Sequence, residues 1–374
     1  MNTTKIGNYG KLAIFLFVAV IILCAFGFAA EGWQTETPNE PDSGDVVPGD
    51  DDDADENKDG TEDNEQTQTP PELETYVPQY VNPLTGIECD ETTAKAQHTA
   101  FIFDSGAPMY GISYSDLLME FPTEDGATRL ISFISDFESL GKIGSLAPTR
   151  GYISNLALPF GSKIVSLGND DTVEYTHSDT SATTLDLSKN NGYHYTEYSV
   201  YNYTNGHLIR AGLSNSNVSS GVNLTLPFLF NEFDAESITG STVARSVTIP
   251  YSSGSETKLE YSEKAGGVYT FQKNGMAKND LLTDKAVSFS NVFILFADSV
   301  TYETATSTQM VMDTLGKGSG YYVTEGTSTY ITWNADENGN YFFYNENGEA
   351  LTVNRGTSYI GFVKSSMCNQ VKIS

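Results

Sequence analysis

The sequence predicts an α+β protein, in which a mixed α/β, sandwich-like N-terminal domain precedes a β-rich C-terminal domain. Helix and strand patterns both occur between residues 81 and 230, as expected for a layered α+β domain. Short apolar strands separated by Asn-Gly turns occupy residues 240–365. The 374 residues are 39% hydrophobic and 18% charged, so both regions can bury a core.

Residues 1–30 are predicted to form a signal or anchor segment. Lys5 and Lys11 precede an uncharged run, Leu12–Ala30, that is long enough to cross a bilayer. Because the positive end stays in the cytoplasm, everything after residue 30 is expected outside the cell. We interpret the segment as a retained attachment, by helix or lipid, with a cleaved and secreted form as the alternative. Cys24 stands where a lipoprotein carries its acylated cysteine, but Leu23 replaces the small residue that this processing requires.

Residues 31–80 are predicted to form an acidic, disordered linker. The stretch contains seventeen Asp or Glu residues and one Lys, with almost no aliphatic residues. It cannot bury enough apolar surface to offset the entropy of folding. Half of a calcium loop is present at Asp55, Asn57, Asp59 and Gly60, but Gln66 replaces the closing glutamate, so no metal site is predicted.

In the first folded region, residues 81–230, apolar alternation and turn residues delimit the elements. Strands are predicted at 99–104, 116–121, 128–134, 143–146 and 162–167, and helices at 152–158 and from Asn205-Gly206 to Gly212. Glu124-Asp125-Gly126 predicts the turn of a hairpin. The polar, Tyr-rich residues 179–204 are assigned to loops.

The second folded region, residues 240–365, is predicted to be mainly β. Strands are expected at 246–250, 258–261, 268–272, 287–296 and 309–313, with hairpin turns at Asn274-Gly275, Asn338-Gly339 and Asn347-Gly348. The glycine-rich residues 316–320 are interpreted as a flexible connection, because the spacing and the following helix of a phosphate-binding loop are both missing. The boundary near residue 230 assumes that the two regions do not share a sheet.

Composition and motif spacing exclude several functional classes. The formal charge of -29 argues against nucleic-acid binding, which requires basic side chains at the phosphates. Cys24, Cys89 and Cys368 cannot supply a CxxC pair or a four-cysteine zinc site, whereas a Cys89–Cys368 disulfide and two free thiols both stay open. The four histidines lack metal-binding spacing and are expected to be exposed. We predict no metal, no cofactor and no catalytic residue.

Short motifs occur in a fixed order along both regions. They are Asn82-Pro83-Leu84-Thr85-Gly86, Gly111-Ile112-Ser113-Tyr114-Ser115-Asp116 with Glu120, Gly126-Ala127-Thr128-Arg129 with Phe133, Ile143-Gly144 leading to Arg150, Gly316-Lys317-Gly318-Ser319-Gly320, Thr332-Trp333, and Tyr341-Phe342-Phe343-Tyr344-Asn345-Glu346-Asn347-Gly348. In these motifs the chain resembles the YerB-like lipoproteins, a two-part domain family of unknown function from Gram-positive envelopes, as a divergent member. Ala147 and Ser166 stand where that family has an arginine and a histidine.

The motifs of the first region contain four charged residues that form the candidate site: Asp116, Glu120, Arg129 and Arg150. The two arginines can hold a phosphate or carboxylate of a ligand, or they can pair with the acids in a structural salt-bridge network, which we favour. In its arginines the segment is remotely similar to the LytR-CpsA-Psr phosphotransferases, which hold a polyprenyl pyrophosphate. Ala147 removes one arginine from such a clamp.

The resemblance and the N-terminal segment together predict a membrane-attached protein on the extracytoplasmic face of the cell membrane, acting as a binding or interaction module of the envelope. The expected partners are the membrane, through residues 1–30, and an envelope protein or glycan. The alternative is an envelope enzyme that handles a phosphate-bearing lipid or glycan.

Overall fold

One large mixed sheet runs through the protein in the computed structural model, which describes residues 76–157, 160, 162–168, 183–189, 192–216, 218, 228–303, 308–336 and 340–374. Strands are numbered along the chain. In spatial order the sheet contains β10 (Thr242–Val243), β20 (Thr327–Ala335), β19 (Lys317–Thr324), β16 (Asn291–Ala297), β23 (Ser358–Lys364), β2 (Leu117–Pro122), β3 (Thr128–Ile134), β1 (Thr99–Asp104), β5 (Lys163–Ser166) and β6 (Thr184–Asp186), and β21 (Tyr341–Tyr344) pairs with β20.

A second sheet and several smaller pairings complete the strands. The second sheet contains β14 (Met276–Ala277), β13 (Val268–Lys273), β12 (Ser255–Ser262), β11 (Ser246–Ser252) and β24 (Lys372–Ile373), with β15 (Ser288–Phe289) beside β13. The smaller groups are β17 (Ser299–Glu303) with β18 (Thr308–Met312), β22 (Thr352–Val353) with β9 (Leu229–Phe230), and β4 (Ile143–Gly144) with β8 (Tyr201–Thr204) and β7 (Tyr195–Glu197). The described α-helices are α1 (Glu91–Lys95), α2 (Gly151–Ala157) and α3 (Gly206–Asn215).

The large sheet crosses the boundary that the sequence predicts near residue 230. β2 pairs in parallel with β23, from Leu117 opposite Ser358 to Glu120 opposite Gly361. Both strands are buried, so their backbone groups must find partners within the protein, and each satisfies the other. The two predicted regions thus share a sheet, and the described residues from 76 onward belong to one compact, strand-rich unit with few helices.

The two faces of the large sheet bury different layers. One face packs against α2 through residues such as Ile153 and Leu156. The other face packs against the second sheet, whose Val247 and Phe271 share a core cluster with Leu118 of β2. Because strand side chains alternate between faces, neighbouring residues of β1 and β2 enter different cores. This arrangement makes the central strands apolar on both sides, which explains their continuous apolar sequence.

Several local predictions are confirmed. β1 and β3 occupy the predicted residues, and the predicted helix after Asn205 is α3, where the Asn205 side chain caps the first turn by accepting the Leu208 N–H at 2.9 Å. The Asn274-Gly275 turn is present, with φ angles of 51° and 73° that the primed hairpin turns require. Asn338-Gly339 lies outside the described residues.

Two local predictions are wrong. β6, β7 and β8 form within residues 179–204, because strands of three or four residues at a sheet margin need little apolar alternation. The glycine-rich run is also not a flexible connection, since residues 317–320 open β19. A Cβ atom at Gly320 would lie 2.0 Å from the carbonyl oxygen of Ile294 on β16, so this glycine permits close strand packing.

No helix within the described ranges is long and apolar enough to cross a membrane. The predicted anchor, residues 1–30, and the calcium half-motif lie outside those ranges.

Candidate binding site at the carboxyl edge of the sheet

Charged residues collect at the edge where several strands of the large sheet end. β1 and β5 are parallel, and β1 and β2 are both antiparallel to β3, so the carboxyl ends of these three strands meet there. Asp104 ends β1 and lies opposite Arg129 of β3. The β2–β3 turn supplies Glu124 and Asp125, and Arg150 follows a segment that pairs with the end of β1. We call these five residues the carboxyl edge.

Arg150 is engaged in a salt bridge with the β2–β3 turn. Its Nε donates to Glu124 Oε2 at 3.2 Å, and its Nη2 contacts the other carboxylate oxygen. The two side chains are 13% and 18% exposed. A two-point contact of this kind fixes the orientation of both groups, so Arg150 holds the turn against the start of α2.

Arg129 is held less tightly than Arg150. Its Nη1 donates to the carbonyl oxygen of Thr128 at 3.3 Å and lies 3.9 Å from Asp104 Oδ1, which is too long for a hydrogen bond. Its Nε is buried and has no hydrogen-bond partner among the described residues. The side chain is only 13% exposed, so an unsatisfied donor here carries a desolvation cost that an acceptor atom would remove.

Both arginines act on the Asp125 carboxyl. Burial raises the pKa of Asp125, but hydrogen bonds from the Thr123 hydroxyl and the Ala127 N–H, together with the charges of Arg129 and Arg150, outweigh it and lower the pKa. The charges of both guanidinium groups therefore act on the same turn.

Lys278 brings a third positive charge to this edge. Burial, aided by the charge of Lys273, lowers its pKa, and the Asp104 carboxyl opposes this shift. Lys278 follows β14 in the second sheet, so the cations around Asp104 come from both family-like regions.

Glu120 is buried beneath the carboxyl edge and pairs with a lysine that sequence reasoning missed. Its Oε1 lies 2.6 Å from Lys273 Nζ, and the two side chains are 0% and 3% exposed. The hydroxyls of Thr128, Thr257 and Tyr359 donate to the same carboxylate at 2.6, 2.7 and 2.6 Å. Every oxygen of Glu120 is thus satisfied, and the group joins the large sheet to the second sheet.

The alternation of buried residues along β13 indicates that Lys273 faces the core. Tyr269 and Phe271 face the core on β13, and Lys273 continues that inward series. A lysine on the buried face of a strand requires a buried acid, and Glu120 within the apolar β2 sequence is such an acid. Their pairing across 153 residues could not be deduced from the sequence alone.

Asp116 lies away from the other three candidate residues, beside the amino end of β2. It accepts hydrogen bonds from the Asn82 side chain and the Ser135 N–H, both at 2.9 Å. Burial raises its pKa, and these hydrogen bonds oppose the rise. His98 Nε2 lies 3.8 Å from the carboxylate, and burial lowers the pKa of His98 to about 4. The expectation that histidines are exposed is wrong for His98, which is 1% exposed.

The four predicted residues thus do not form one cluster. Arg129 and Arg150 meet at the carboxyl edge, Glu120 lies in the interior, and Asp116 lies at the opposite end of β2. The acids beside the arginines are not Asp116 and Glu120: Arg150 forms its salt bridge with Glu124, and the Arg129 guanidinium lies 3.9 Å from Asp104.

The described cysteines are both free thiols, and Cys24 lies outside the described residues. No group of three His, Cys, Asp or Glu side chains is placed to hold a metal ion in the part of the chain that the structure describes.

Two family models match the chain in tandem. Residues 84–219 match the N-terminal domain of the protein of unknown function DUF3048, and residues 247–360 match its C-terminal domain. The chain belongs to this family. The family is the YerB-like two-part family that the sequence motifs indicate, so that identification is confirmed.

The fold is also similar to a solved structure. The crystal structure of the YerB protein from Bacillus subtilis matches with a TM-score of 0.68 and 19% identity, over 79% of this chain and 100% of that chain. At this identity the match shows the shared fold. No curated protein matches the chain.

Proposed function

We propose that this DUF3048 protein is a membrane-attached, extracytoplasmic binding module of the cell envelope, and that Arg129 contacts an anionic group of its ligand. Attachment is supported by the apolar run at residues 12–30 and by the acidic stretch that follows it. Binding rather than catalysis is supported by Arg150 and Glu120, whose charges are both engaged in salt bridges.

The observation that carries the ligand contact is the buried Nε of Arg129. This donor lacks a partner among the described residues, and the nearest carboxylate lies 3.9 Å from the guanidinium. An oxyanion at this edge would accept the unused N–H groups in the planar geometry that phosphates and carboxylates prefer. Lys278 and Arg150 would add attraction without rearrangement of the sheet.

The test measures thermal unfolding of the full-length protein in detergent with polyprenyl phosphate, soluble cell-wall fragments and inorganic phosphate, each with and without Mg²⁺. A ligand at a hundred times its dissociation constant is expected to stabilise the native state by about 2.7 kcal/mol. Arg129→Gln should abolish this stabilisation. The matched control is Arg245→Gln, because Arg245 forms an exposed ion pair with Glu263 and should leave the stabilisation unchanged.

An equal ligand response in the wild type and in Arg129→Gln would contradict the proposed contact. Attachment is tested separately, by digestion of intact cells with a protease: an extracytoplasmic protein is degraded, whereas a cytoplasmic control protein is not. Recovery of the undigested protein with the cytoplasmic control would refute the placement.

The second candidate function is an envelope enzyme acting on a phosphate-bearing lipid or glycan. The observation that favours it is that Arg150 binds Glu124 of the β2–β3 turn while Arg129 stands at the start of β3, directly after that turn. ³¹P NMR of the same ligands during long incubation distinguishes the two functions, since a binding module leaves the phosphorus signals unchanged and an enzyme converts them.

A further inference from the structure

A pocket of about 730 Å³ lies at the other edge of the large sheet, where β1 and β5 begin and β3 ends. Its wall comes from α1, the residues after β3, and the second half of α3. The residues that the argument uses are Ser135, Asp136, Phe137, Lys163 and Arg210. We call it the amino-edge pocket. Its volume is in the range of small-molecule sites.

The charges of the pocket are of both signs, and two of them have no charged partner among the described residues. Arg210 pairs with Glu138 at 3.3 Å. Asp90 is used as the cap of α1, where it accepts the Thr93 N–H. By contrast, the Lys163 ammonium and the Asp136 carboxylate make no ion pair or side-chain hydrogen bond with any described residue. Within the described part of the chain, the pocket therefore presents one cation and one anion that lack ion-pair partners.

The chemistry of these groups selects the ligand class. A simple anion would satisfy Lys163 but would meet the three carboxylates of Asp90, Asp136 and Glu138. A simple cation would leave Lys163 unpaired. A ligand that carries an ammonium group and a carboxylate satisfies both, and half-buried Ser135 adds a hydroxyl to the pocket wall.

Hydrogen bonds and core packing hold the pocket wall in place. The Asp116 carboxylate accepts the Ser135 N–H at 2.9 Å and the Asn82 side chain at 2.9 Å, which fixes the residues that follow β3. Phe137 is 7% exposed and belongs to the core cluster beneath the second sheet. Ser135 and Asp136 are thus presented from a rigid segment, as a preorganised site requires.

We infer that the amino-edge pocket binds a zwitterionic amino acid or short peptide, with the ligand carboxylate on Lys163 and the ligand ammonium on Asp136. This site is separate from the carboxyl edge and does not depend on the function proposed for Arg129.

The experiment titrates the full-length protein in detergent with unmodified dipeptides of alanine, glutamate and lysine, and follows binding by calorimetry up to about 10 mM, since millimolar dissociation constants correspond to weak but measurable affinity. The best dipeptide is then compared with its N-acetylated and its C-amidated forms, each of which lacks one charge. Each modification is expected to weaken binding about tenfold or more.

Lys163→Gln should weaken the unmodified dipeptide about tenfold or more while Lys163→Arg retains binding. Because Lys163 makes no ion pair with a described residue, Lys163→Gln should leave the melting temperature unchanged, so a loss of binding cannot be attributed to unfolding. The matched control is Lys95→Gln on α1, where Lys95 pairs with Glu91 outside the pocket.

Two results would overturn the inference. One is binding of the acetylated and amidated forms with the affinity of the free dipeptide. The other is no binding by any dipeptide while the Arg129-dependent response to phosphate ligands persists, which would leave the proposed function intact and remove this second site.

Discussion

Replacing Lys273 by methionine is expected to lower the free energy of unfolding by about 3–5 kcal/mol, the cost of leaving a buried charge without its partner. Lys273 Nζ lies 2.6 Å from Glu120 Oε1 and 3.1 Å from the Thr257 hydroxyl, in an interior where neither charged side chain is more than 3% exposed. Methionine fills a similar volume, but the Glu120 carboxylate keeps only hydroxyl donors. The loss is large relative to a typical stability of about 5–15 kcal/mol.

Urea unfolding of the wild type and of Lys273→Met measures this change through the transition midpoint. Lys258→Met is the matched control on the neighbouring strand, because the Lys258–Glu260 pair is 34% and 43% exposed and should contribute about 0–1 kcal/mol. The double variant Lys273→Met with Glu120→Gln removes the uncompensated charge and should recover part of the loss. The reasoning is refuted if Lys273→Met costs no more than the control, or if the two buried substitutions are simply additive.

Three further predictions concern titration, thiol reactivity and strand packing. Burial lowers the pKa of His98 to about 4, whereas an unfolded histidine titrates near about 6.5, so the unfolded state binds the proton first. The free energy of unfolding should therefore decrease by about 2–3 kcal/mol as the pH is lowered from about 6.5 to about 4. Urea midpoints should show a smaller decrease in His98→Gln, whereas the exposed-residue control His207→Gln should behave like the wild type. Burial and neighbouring acids raise the pKa of Cys89, so its alkylation at pH 8, followed by mass spectrometry, should be slower than that of free cysteine, and an equal rate would contradict this. Gly320→Ala should lower the free energy of unfolding by about 2–3 kcal/mol in the urea assay, because the added Cβ would lie 2.0 Å from a carbonyl oxygen. The control Gly254→Ala should be neutral, because its Cβ would meet no atom within 4 Å. Equal effects of the two substitutions would refute the packing argument.

Local elements could be predicted where the chemical signal is local. β1 and β3 have runs of apolar residues bounded by turns, and Asn205 identifies the start of α3 because a side-chain cap acts within a few residues. The short strands between residues 184 and 204 could not be predicted, since they depend on partners elsewhere rather than on their own alternation.

The candidate site, too, was only partly predictable from the sequence. The motifs contain Arg129 and Arg150, whose charges act on one turn, but they do not identify the residues that contact these arginines. Asp116 and Glu120 are only four residues apart in the sequence, yet they occupy different environments, one beside His98 and one beside Lys273. Sequence spacing says nothing about which distant strand covers a given residue.

By itself, the sequence determined the membership of the two-part family, several of the strands and the residues worth examining. Those properties are carried by residue identity and short-range order. Only the tertiary structure decided that both family regions share one sheet, that Glu120 is neutralised by Lys273, and that Lys163 and Asp136 line a pocket. Each of these depends on contacts between residues far apart in the chain, because hydrogen bonding and burial act on neighbours in space, whatever their separation in sequence.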